Sequence, residues 1–379
     1  MKQGWTYKKF KDICSSISDG DWIEKKDQSL SGIRLIQTGN IGVGKFLPKK
    51  DSKRFISEET FKRLRCSEIF EGDVLISRLP NPLGRSCCLP KLSTKCITAV
   101  DCSILKLNKG LVIPQYFIYY TQSDSYFSEI NSQSSGTTRA RITRKKLEET
   151  QIPLAPLAEQ QRIVSRLDSA FAHIDELKAN AEKQVNEARA LFQKALSKAM
   201  EPKEGWEEMK LGEFAYMKAG NFAKASEIYS DFKEGLYPCY GGNGFRGYVK
   251  EPNQDGDYCM IGRQGALCGC INRAQGKFRT TEHAVIVKPY QEIPTSLVYY
   301  LLVSLNLNKY ATGAAQPGLS VNNIAEAVKI AVPPQKEQQK IANRLDSLSA
   351  NVKALEENQR KVMAECDALK QALLRKVFE

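Results

Sequence analysis

The chain has 379 residues, of which 42% are hydrophobic, and a formal net charge of +13. This length suffices for roughly two or three domains that each bury a core, and no apolar run reaches the roughly 18 residues needed to cross a bilayer. The N-terminus lacks the apolar stretch of a secretory signal, and 11 scattered cysteines are typical of a reducing compartment. We therefore expect a cytoplasmic protein rather than a disulfide-rich secreted one.

The first segment, residues 1–155, is predicted to be a mixed α/β domain. A strand-like pattern covers Ile33–Thr38, and a second, buried strand follows a turn within Glu71–Arg78. Ser57 is placed to cap a short helix through its side-chain oxygen. Pro114 is expected in the first turn of another helix, where its missing N–H costs no hydrogen bond.

The segment that follows, residues 156–200, opens with a sequence that the chain repeats. Residues 159–169 read EQQRIVSRLDS and residues 337–347 read EQQKIANRLDS, so eight of eleven positions are identical at an offset of 178 residues. Both copies come just after an apolar stretch that contains proline. An offset this long does not fit a stacked solenoid and indicates a duplicated pair of domains.

Each copy of the repeat leads into a long helical pattern. Apolar side chains recur at steps of three and four residues, as in the seam of a coiled coil. Single polar positions, Gln184 and Gln359, interrupt the seams and are of the kind that fixes register. We expect the two helices to pair with each other rather than each to pack on its own domain. The predicted seam consists of Ile163, Leu167, Ile174, Leu177 and Leu191 in the first helix and Ile341, Leu345, Leu348, Val352, Leu355, Val362, Leu369 and Leu373 in the second.

The third segment, residues 201–332, repeats the order of the first. A turn and strand that end at Arg263 correspond to those that end at Arg78, and residues 313–320 lie where residues 136–143 lie in the first copy. The scaffold is shared while the side chains differ. We therefore expect two domains that perform the same task on different targets.

Positive charge is concentrated in the first segment, where 26 Lys and Arg residues face 16 Asp and Glu residues. Residues 201–332 contain 14 of each kind. A basic globular surface is typical of proteins that bind a polyanion such as DNA. We therefore expect double-stranded DNA as a partner, with the first segment contributing more of the salt-dependent affinity.

The richest candidate stretch for DNA contacts is residues 135–146, in which five cations lie within eight residues. Lys and Arg bind phosphate, Arg also pairs with guanine, and Asn and Gln pair with adenine. In the second copy the candidates lie in glycine-rich, loop-like sequence. The predicted DNA contacts are Arg78, Arg85, Arg139, Arg141, Arg144 and Lys145 in the first copy and Asn243, Arg246, Arg263, Gln264, Arg273, Lys277, Arg279 and Gln316 in the second.

No motif in the sequence predicts catalysis or a bound cofactor. The stretch Gly39–Lys45 fits the pattern G-x-x-x-x-G-K, but Phe46 stands where a P-loop needs Ser or Thr. Cys259 and the pair Cys268 and Cys270 lack the spacing of a zinc site. A methyl-donor loop and the motifs of adenine methyltransferases are missing as well. We expect no catalytic residue, no metal and no cofactor.

Four stretches carry a family resemblance. Pro156–Ile163 and Pro334–Ile341 share the pattern Pro-x-x-Glu-Gln-x-x-Ile, and Tyr237–Gly244 and Gly313–Ser320 are similar to stretches that recur in the same family. With these residues the chain resembles the specificity (S) subunit of type I restriction-modification systems. The resemblance implies an α+β fold of two mixed α/β target-recognition domains in a pseudo-two-fold arrangement, separated by two long helices that form an antiparallel coiled coil.

On this resemblance, residues 1–155 and 201–332 are the target-recognition domains, and residues 156–200 and 333–379 are the spacer helices. The resemblance implies a non-catalytic subunit that reads a bipartite, asymmetric DNA site, one half with each domain. The implied partners are DNA, two methyltransferase subunits and, for restriction, motor-nuclease subunits, with no membrane association.

Three other interpretations remain open on the sequence. One is a coiled-coil DNA-binding scaffold or repressor that has no methylation partner. Another is an enzyme made of two catalytic halves, which the missing motifs disfavour. The third is the specificity subunit of a related restriction system that cuts on both sides of its site.

Overall fold

The computed structural model describes residues 3–49, 53–136, 140–265, 267–313 and 317–379. The chain divides into two compact units: the first contains residues 1–181 and 360–379, and the second contains residues 182–359. Each unit contains one mixed α/β domain and a part of both long helices. In the described parts of the chain, no helix combines the length and apolarity that a bilayer crossing requires.

The elements of the first unit are β1 (Thr6–Lys9), α1 (Phe10–Ile13), β2 (Cys14–Asp19), β3 (Ile33–Ile36), β4 (Arg54–Ile56), α2 (Glu58–Arg63), β5 (Val74–Ser77), β6 (Ser86–Cys88), β7 (Cys96–Thr98), β8 (Cys102–Leu107), α3 (Pro114–Tyr120), α4 (Asp124–Ser132), α5 (Arg144–Glu149), β9 (Gln151–Leu154) and the first part of α6 (Leu157–Ala199). Its described strands form three sheets. Strands β2, β8, β5 and β6 form an antiparallel sheet in that order. Strands β4, β3 and β7 form a second sheet in which β3 and β7 are parallel, and β1 pairs with β9.

Local sequence signals in the first unit are confirmed. The predicted strand at 33–38 is β3, and the buried strand after the turn at 71–78 is β5, whose four residues are all buried. The Ser57 side chain accepts a hydrogen bond from the backbone N–H of Thr60 at 3.1 Å and caps α2. Pro114 is the first residue of α3.

The elements of the second unit are β10 (Glu207–Lys210), α7 (Leu211–Phe214), β11 (Ala215–Ala219), β12 (Tyr237–Gly241), β13 (Gly244–Val249), β14 (Gln254–Gly262), β15 (Ile271–Thr280), β16 (Ala284–Pro289), α8 (Thr295–Ser304), α9 (Val321–Ala327), β17 (Lys329–Val332), the rest of α6 and the first part of α10 (Gln335–Phe378). The unit is built around a six-stranded sheet in the order β11, β16, β14, β15, β12 and β13. All neighbours in this sheet are antiparallel except β12 and β15. Outside it, β10 pairs with β17 as β1 pairs with β9 in the first unit.

The repeated junction ties each domain to its long helix. Gln160 is fully buried, and its amide donates to the carbonyl oxygens of Leu111 and Ala155 at 2.9 and 2.8 Å. The equivalent Gln338 is also buried and donates to the carbonyl oxygen of Pro333 at 3.0 Å. A buried amide needs such partners, which explains why the glutamine occurs in both copies of the repeat.

A tyrosine from each domain also binds the repeated aspartate. The Tyr119 hydroxyl donates to Asp168 at 2.5 Å, and the Tyr300 hydroxyl donates to Asp346 at 2.9 Å. Burial and then the hydrogen bond to Asp346 raise the pKa of Tyr300 to about 12. Each domain is therefore attached to its helix by an apolar contact that includes a charge-assisted hydrogen bond.

The paired helices run antiparallel in the first unit. Lys178 Nζ lies 2.7 Å from the Asp367 carboxylate, and Lys370 Nζ lies 2.6 Å from the Asp175 carboxylate. As the residue number rises along α6, the number of its partner on α10 falls. The antiparallel coiled coil implied by the resemblance is confirmed.

The second unit shows the same direction of pairing. Arg189 Nε lies 2.6 Å from the Glu356 carboxylate. The Gln359 amide donates to the Gln184 side-chain oxygen at 2.8 Å. The two polar positions that interrupt the predicted seams therefore hydrogen-bond to each other, and a pair of this kind favours one register of the helices.

The predicted seam is wrong at three positions. Leu177, Leu191 and Leu369 are 54%, 68% and 49% exposed. In each case the residue that follows in the chain, respectively Lys178, Phe192 and Lys370, is less exposed and lies on the packed side. The other predicted seam residues are buried or partly buried: Ile163, Leu167, Ile174, Ile341, Leu345, Leu348, Val352, Leu355, Val362 and Leu373.

Aromatic packing and lysine stems explain this difference in register. Phe171 is buried, its ring centroid lies 5.2 Å from that of Tyr119, and Lys370 Nζ lies 4.9 Å from the Phe171 centroid. The methylene stem of a lysine covers apolar surface while its ammonium group reaches an acidic partner. Lysines therefore occupy positions that a count of apolar residues assigns to leucines.

Candidate nucleic-acid interface

Both units present a loop of the same construction, here called the recognition loops, at residues 135–141 and 312–318. Ser135 and Arg141 exchange two backbone hydrogen bonds of 3.0 and 2.9 Å, and Thr312 and Gly318 exchange two of 2.9 Å. The middle of each loop, residues 137–139 and 314–316, lies outside the described residues. The predicted contacts Arg139 and Gln316 fall there.

Each recognition loop is attached to the strand end that the sequence matched between the copies. The N–H of Ile142 donates to the carbonyl oxygen of Arg78 at 3.3 Å, and the N–H of Leu319 donates to that of Arg263 at 2.8 Å. The next residue in each copy, Thr143 or Ser320, then caps the following helix. The correspondence expected between 136–143 and 313–320 is confirmed by these contacts.

The cations beside the first recognition loop are partly exposed and partly paired. Arg141 lies 3.0 Å from Asp101, and Arg144 lies 3.2 Å from Glu148. Lys145 is exposed at the start of α5. Surface ion pairs of this kind are weak, so a phosphate can replace the carboxylate partner at small cost.

Two predicted contacts of the first unit, Arg78 and Arg85, are buried, with 5% and 8% of their surface exposed. Arg78 donates to the Asp19 carboxylate at 3.2 Å, and Arg85 donates to the carbonyl oxygen of Ile41 at 2.6 Å and to three further carbonyl groups. Burial lowers the pKa of both guanidinium groups. Their side chains therefore bind the protein itself rather than present donors at the surface.

In the second unit three predicted contacts lie together around a cleft of about 480 Å³. Asn243 is at the exposed tip between β12 and β13, and Arg246 and Gln264 form other parts of the wall. Arg263 adjoins Gln264 and holds the recognition loop. This second-unit cleft is lined by Phe222, Ala223, Ala225, Gly242, Asn243, Arg246, Gln264, Gly265, Glu282 and His283.

The remaining predicted contacts of the second unit do not line this cleft. Arg273 binds Asp257 through two hydrogen bonds of 2.9 and 2.5 Å and shares a different cavity with residues of the long helix. Lys277 is exposed on β15, opposite Asp255 near the start of β14. Arg279 lines a neighbouring cavity of about 530 Å³ and donates to the carbonyl oxygen of Phe222 at 3.1 Å.

The cleft contains an acidic group that the sequence interpretation missed. Glu282 lies 3.2 Å from the ring of His283, and its second carboxylate oxygen is buried without a hydrogen-bond partner among the described residues. The Nε atoms of Arg263 and Arg279 and the Thr281 hydroxyl are buried and unpaired in the same region. Unpaired buried polar atoms cost free energy, so these four groups make this region locally unfavourable.

No sequence signal marks Glu282 as a wall residue. The strand β12 lies parallel to β15, and this pairing brings the tip at Asn243 beside the end of β15. The two residues are far apart in the chain, and Glu282 lies outside every stretch that carries the family resemblance.

The stretch that resembles a P-loop and the cysteine considered for a zinc site have ordinary structural roles. Ile41 and Phe46 form an antiparallel bridge, and the N–H of Gly42 donates to the carbonyl oxygen of Lys45 at 2.9 Å, so this stretch is a tight turn. Cys259 is fully buried, and burial raises the pKa of its thiol to about 12. Within the described ranges, no group of three or more His, Cys, Asp or Glu side chains could hold a metal ion.

A family model described as the type I restriction modification DNA specificity domain matches residues 2–187 and 203–364. The chain belongs to this specificity family. The two matched ranges cover most of the chain and follow its internal duplication.

Curated members of the specificity family are similar to the chain. The specificity subunit of the type I restriction enzyme EcoprrI from Escherichia coli is 44% identical over 148 residues, which are 39% of this chain and 37% of that protein. The specificity subunit of EcoKI from Escherichia coli K12 is 25% identical over an alignment of 430 residues, which covers 100% of this chain and 89% of that protein.

Two solved structures share the fold of the chain. A chain from a study of complex assembly and conformational transition in the type I restriction-modification system has a TM-score of 0.80 at 20% identity, covering 100% of this chain and 98% of that one. The HsdS subunit from Thermoanaerobacter tengcongensis has a TM-score of 0.57 at 21% identity, covering 100% and 97%. The α+β fold of two mixed domains and two long helices is thereby confirmed.

Proposed function

We propose that this chain is the DNA-recognition subunit of a type I restriction-modification complex. It reads a bipartite, asymmetric DNA site, with one half-site bound by each unit. The observation that carries the proposal is the repetition of the recognition loop: the same backbone bridges attach it at the ends of β5 and β14, while its side chains differ. Two domains that bind different DNA sequences require a common backbone structure with different side chains.

The two units contribute differently to binding. The first segment has the excess of positive charge, and contacts to phosphate position a protein on DNA. The second-unit cleft offers amide, guanidinium and carboxylate groups, which pair with base edges. The proposed contacts are Arg139, Arg141, Arg144 and Lys145 in the first unit and Asn243, Arg246, Arg263, Gln264, Arg279, Glu282 and Gln316 in the second.

The proposed division of the chain follows its duplication. Residues 1–155 and 201–332 are the target-recognition domains, and residues 156–200 and 333–379 are the spacer helices. Two half-sites read by one chain reinforce each other, because the second contact becomes intramolecular once the first has formed.

Methyl transfer and cleavage belong to partner subunits in this proposal. Two methyltransferase subunits dock on the chain, and motor-nuclease subunits join them for restriction. The chain itself is non-catalytic and acts in the cytoplasm, where the host DNA is methylated. The relatives named above are the specificity subunits of restriction enzymes, which supports this assignment.

Reconstitution tests the proposal. The full chain is combined with the methyltransferase subunits of its host, and methyl transfer is measured on a plasmid library of random sequence. The expected result is methylation confined to one bipartite motif. Methylation that is the same with and without the chain would contradict the proposal and favour a scaffold or repressor.

A further inference from the structure

An exposed aromatic side chain occupies the same place in both units. Trp22 follows β2 and Phe222 follows β11, 200 positions apart, and each has 68% of its surface exposed. In each unit a less exposed apolar residue comes next, and a short 3-10 turn follows at Lys25–Asp27 or Ala225–Glu227. A single exposed aromatic is unremarkable, but two at equivalent positions of a duplicated fold point to a shared task.

The backbone before each aromatic residue is held in the same way. A Cβ atom on Gly20 would lie 2.4 Å from the carbonyl oxygen of Thr98, and one on Gly220 would lie 2.0 Å from that of Thr280. The residue after each glycine donates its N–H to that same threonine, at 2.8 Å in the first unit and 3.2 Å in the second. Only glycine permits this close approach, so the fold fixes where each aromatic side chain emerges.

The surroundings of Phe222 indicate the chemistry of its ligand. Phe222 lines the second-unit cleft together with Asn243, Arg246 and Gln264. It also lines the neighbouring cavity together with Arg279. An aromatic ring among amide and guanidinium groups is suited to a nucleic acid, whose bases offer both a stacking face and hydrogen-bonding edges.

We propose that Trp22 and Phe222 are a matched pair of DNA-inserting residues, each placing its ring against bases of the half-site that its own unit binds. The inference rests on the proposed function and adds a contact that does not depend on which base is present. Every base has a stacking face, so both units can keep an aromatic residue here while the cleft residues differ. Methyltransferases extrude their target base from the duplex, and an inserted ring stabilises DNA whose stacking has been opened.

Iodide quenching of tryptophan fluorescence tests the contact of Trp22. The chain has three tryptophans, and Trp5 and Trp206 are only 8% and 9% exposed. The assembly of full chain and methyltransferase subunits is compared with the same assembly containing Trp22→Phe, so that the difference isolates Trp22. A duplex with the bipartite site is expected to quench the fluorescence of Trp22 and to shield Trp22 from quenching by iodide. A duplex with both half-sites scrambled is expected to have smaller effects of both kinds.

Affinity measurements on the same assembly extend the test to both units. Trp22→Ala and Phe222→Ala are each expected to weaken binding of the specific duplex by ~5- to 150-fold, the range for loss of one stacked aromatic residue. Trp22→Phe and Phe222→Trp keep a ring and are expected to bind within about threefold of wild type. Phe70→Ala and Tyr290→Ala are the controls, since both residues are exposed but lie outside the two equivalent loops.

The possible failures can be told apart. If the wild-type assembly does not distinguish specific from scrambled duplex, the proposed function itself fails. If it does, but both alanine variants bind like wild type, the pairing of Trp22 and Phe222 on DNA is overturned. Loss of methyltransferase subunits from the alanine variants during purification would also overturn it, because the two rings would then contact protein.

Discussion

At the scale of single residues, Glu282 supplies the carboxylate in the wall of the second-unit cleft and is suited to reading a base. A carboxylate only accepts hydrogen bonds, so it suits the exocyclic amino group of cytosine or adenine. Glu282→Gln replaces one acceptor with a donor. We expect ~10-fold weaker binding of the cognate duplex and a relaxed preference at one base pair of the second half-site.

The measurement is binding to a set of duplexes that each carry one base-pair change. Glu292→Gln is the matched control, because Glu292 is exposed and lines a different cavity near the helix junction. A loss of affinity that is uniform over all base-pair changes would contradict a base-reading role for Glu282.

Tyr300 links the second domain to α10, and its ionisation is expected to lower the free energy of unfolding at alkaline pH. Its folded-state pKa is raised from 10.0 to about 12, so the folded state favours the neutral phenol. The resulting stabilisation is complete below pH 10 and is lost as pH rises from 10 towards 12.

Tyr300→Phe should lower the free energy of unfolding by about 1–3 kcal/mol at pH 7. It should also flatten the decline of that free energy above pH 10. Urea unfolding at a series of pH values checks this, with the exposed Tyr290→Phe as control; equal pH profiles for wild type and Tyr300→Phe would contradict it.

At the scale of secondary-structure elements, the register of the helix pair can be tested with two neighbouring substitutions on α6. Phe171 is buried against Tyr119, whereas Leu177 is 54% exposed. Phe171→Ala should destabilise the chain by about 3–5 kcal/mol, because it leaves a cavity, and Leu177→Ala by less than about 0.5 kcal/mol. Thermal unfolding of the two variants is the measurement. A larger loss for Leu177→Ala would restore the seam predicted from the apolar pattern.

The same elements show what a single sequence can predict. The duplicated Glu-Gln repeat and the Ser57 cap are local signals, and they led correctly to two domains, two long helices and a helix start. The seam was assigned one residue early at three places because lysine stems and aromatic rings can fill positions that leucine occupies in a simple coiled coil. The cleft could not be predicted, since its walls come from distant segments that the parallel pairing of β12 and β15 brings together.

At the scale of the whole molecule, the uneven distribution of charge predicts an uneven dependence on salt. Lys145→Gln should reduce the slope of log K against log salt concentration by about 0.9 and should weaken specific and non-specific DNA alike. Lys194→Gln, at an exposed position on α6, is expected to leave the slope unchanged. Binding titrations of the full assembly at several salt concentrations measure both slopes. Equal slopes for wild type and Lys145→Gln would remove Lys145 from the phosphate contacts.

The proposed function gives this chain the choice of the DNA sequence that its partner subunits modify. Its most direct test is a genome-wide map of methylated bases in the host, with and without the gene for this chain. We expect one bipartite methylated motif that disappears when the gene is deleted and returns when it is restored. Motifs that stay unchanged on deletion, while the partner methyltransferase is demonstrably expressed, would contradict it.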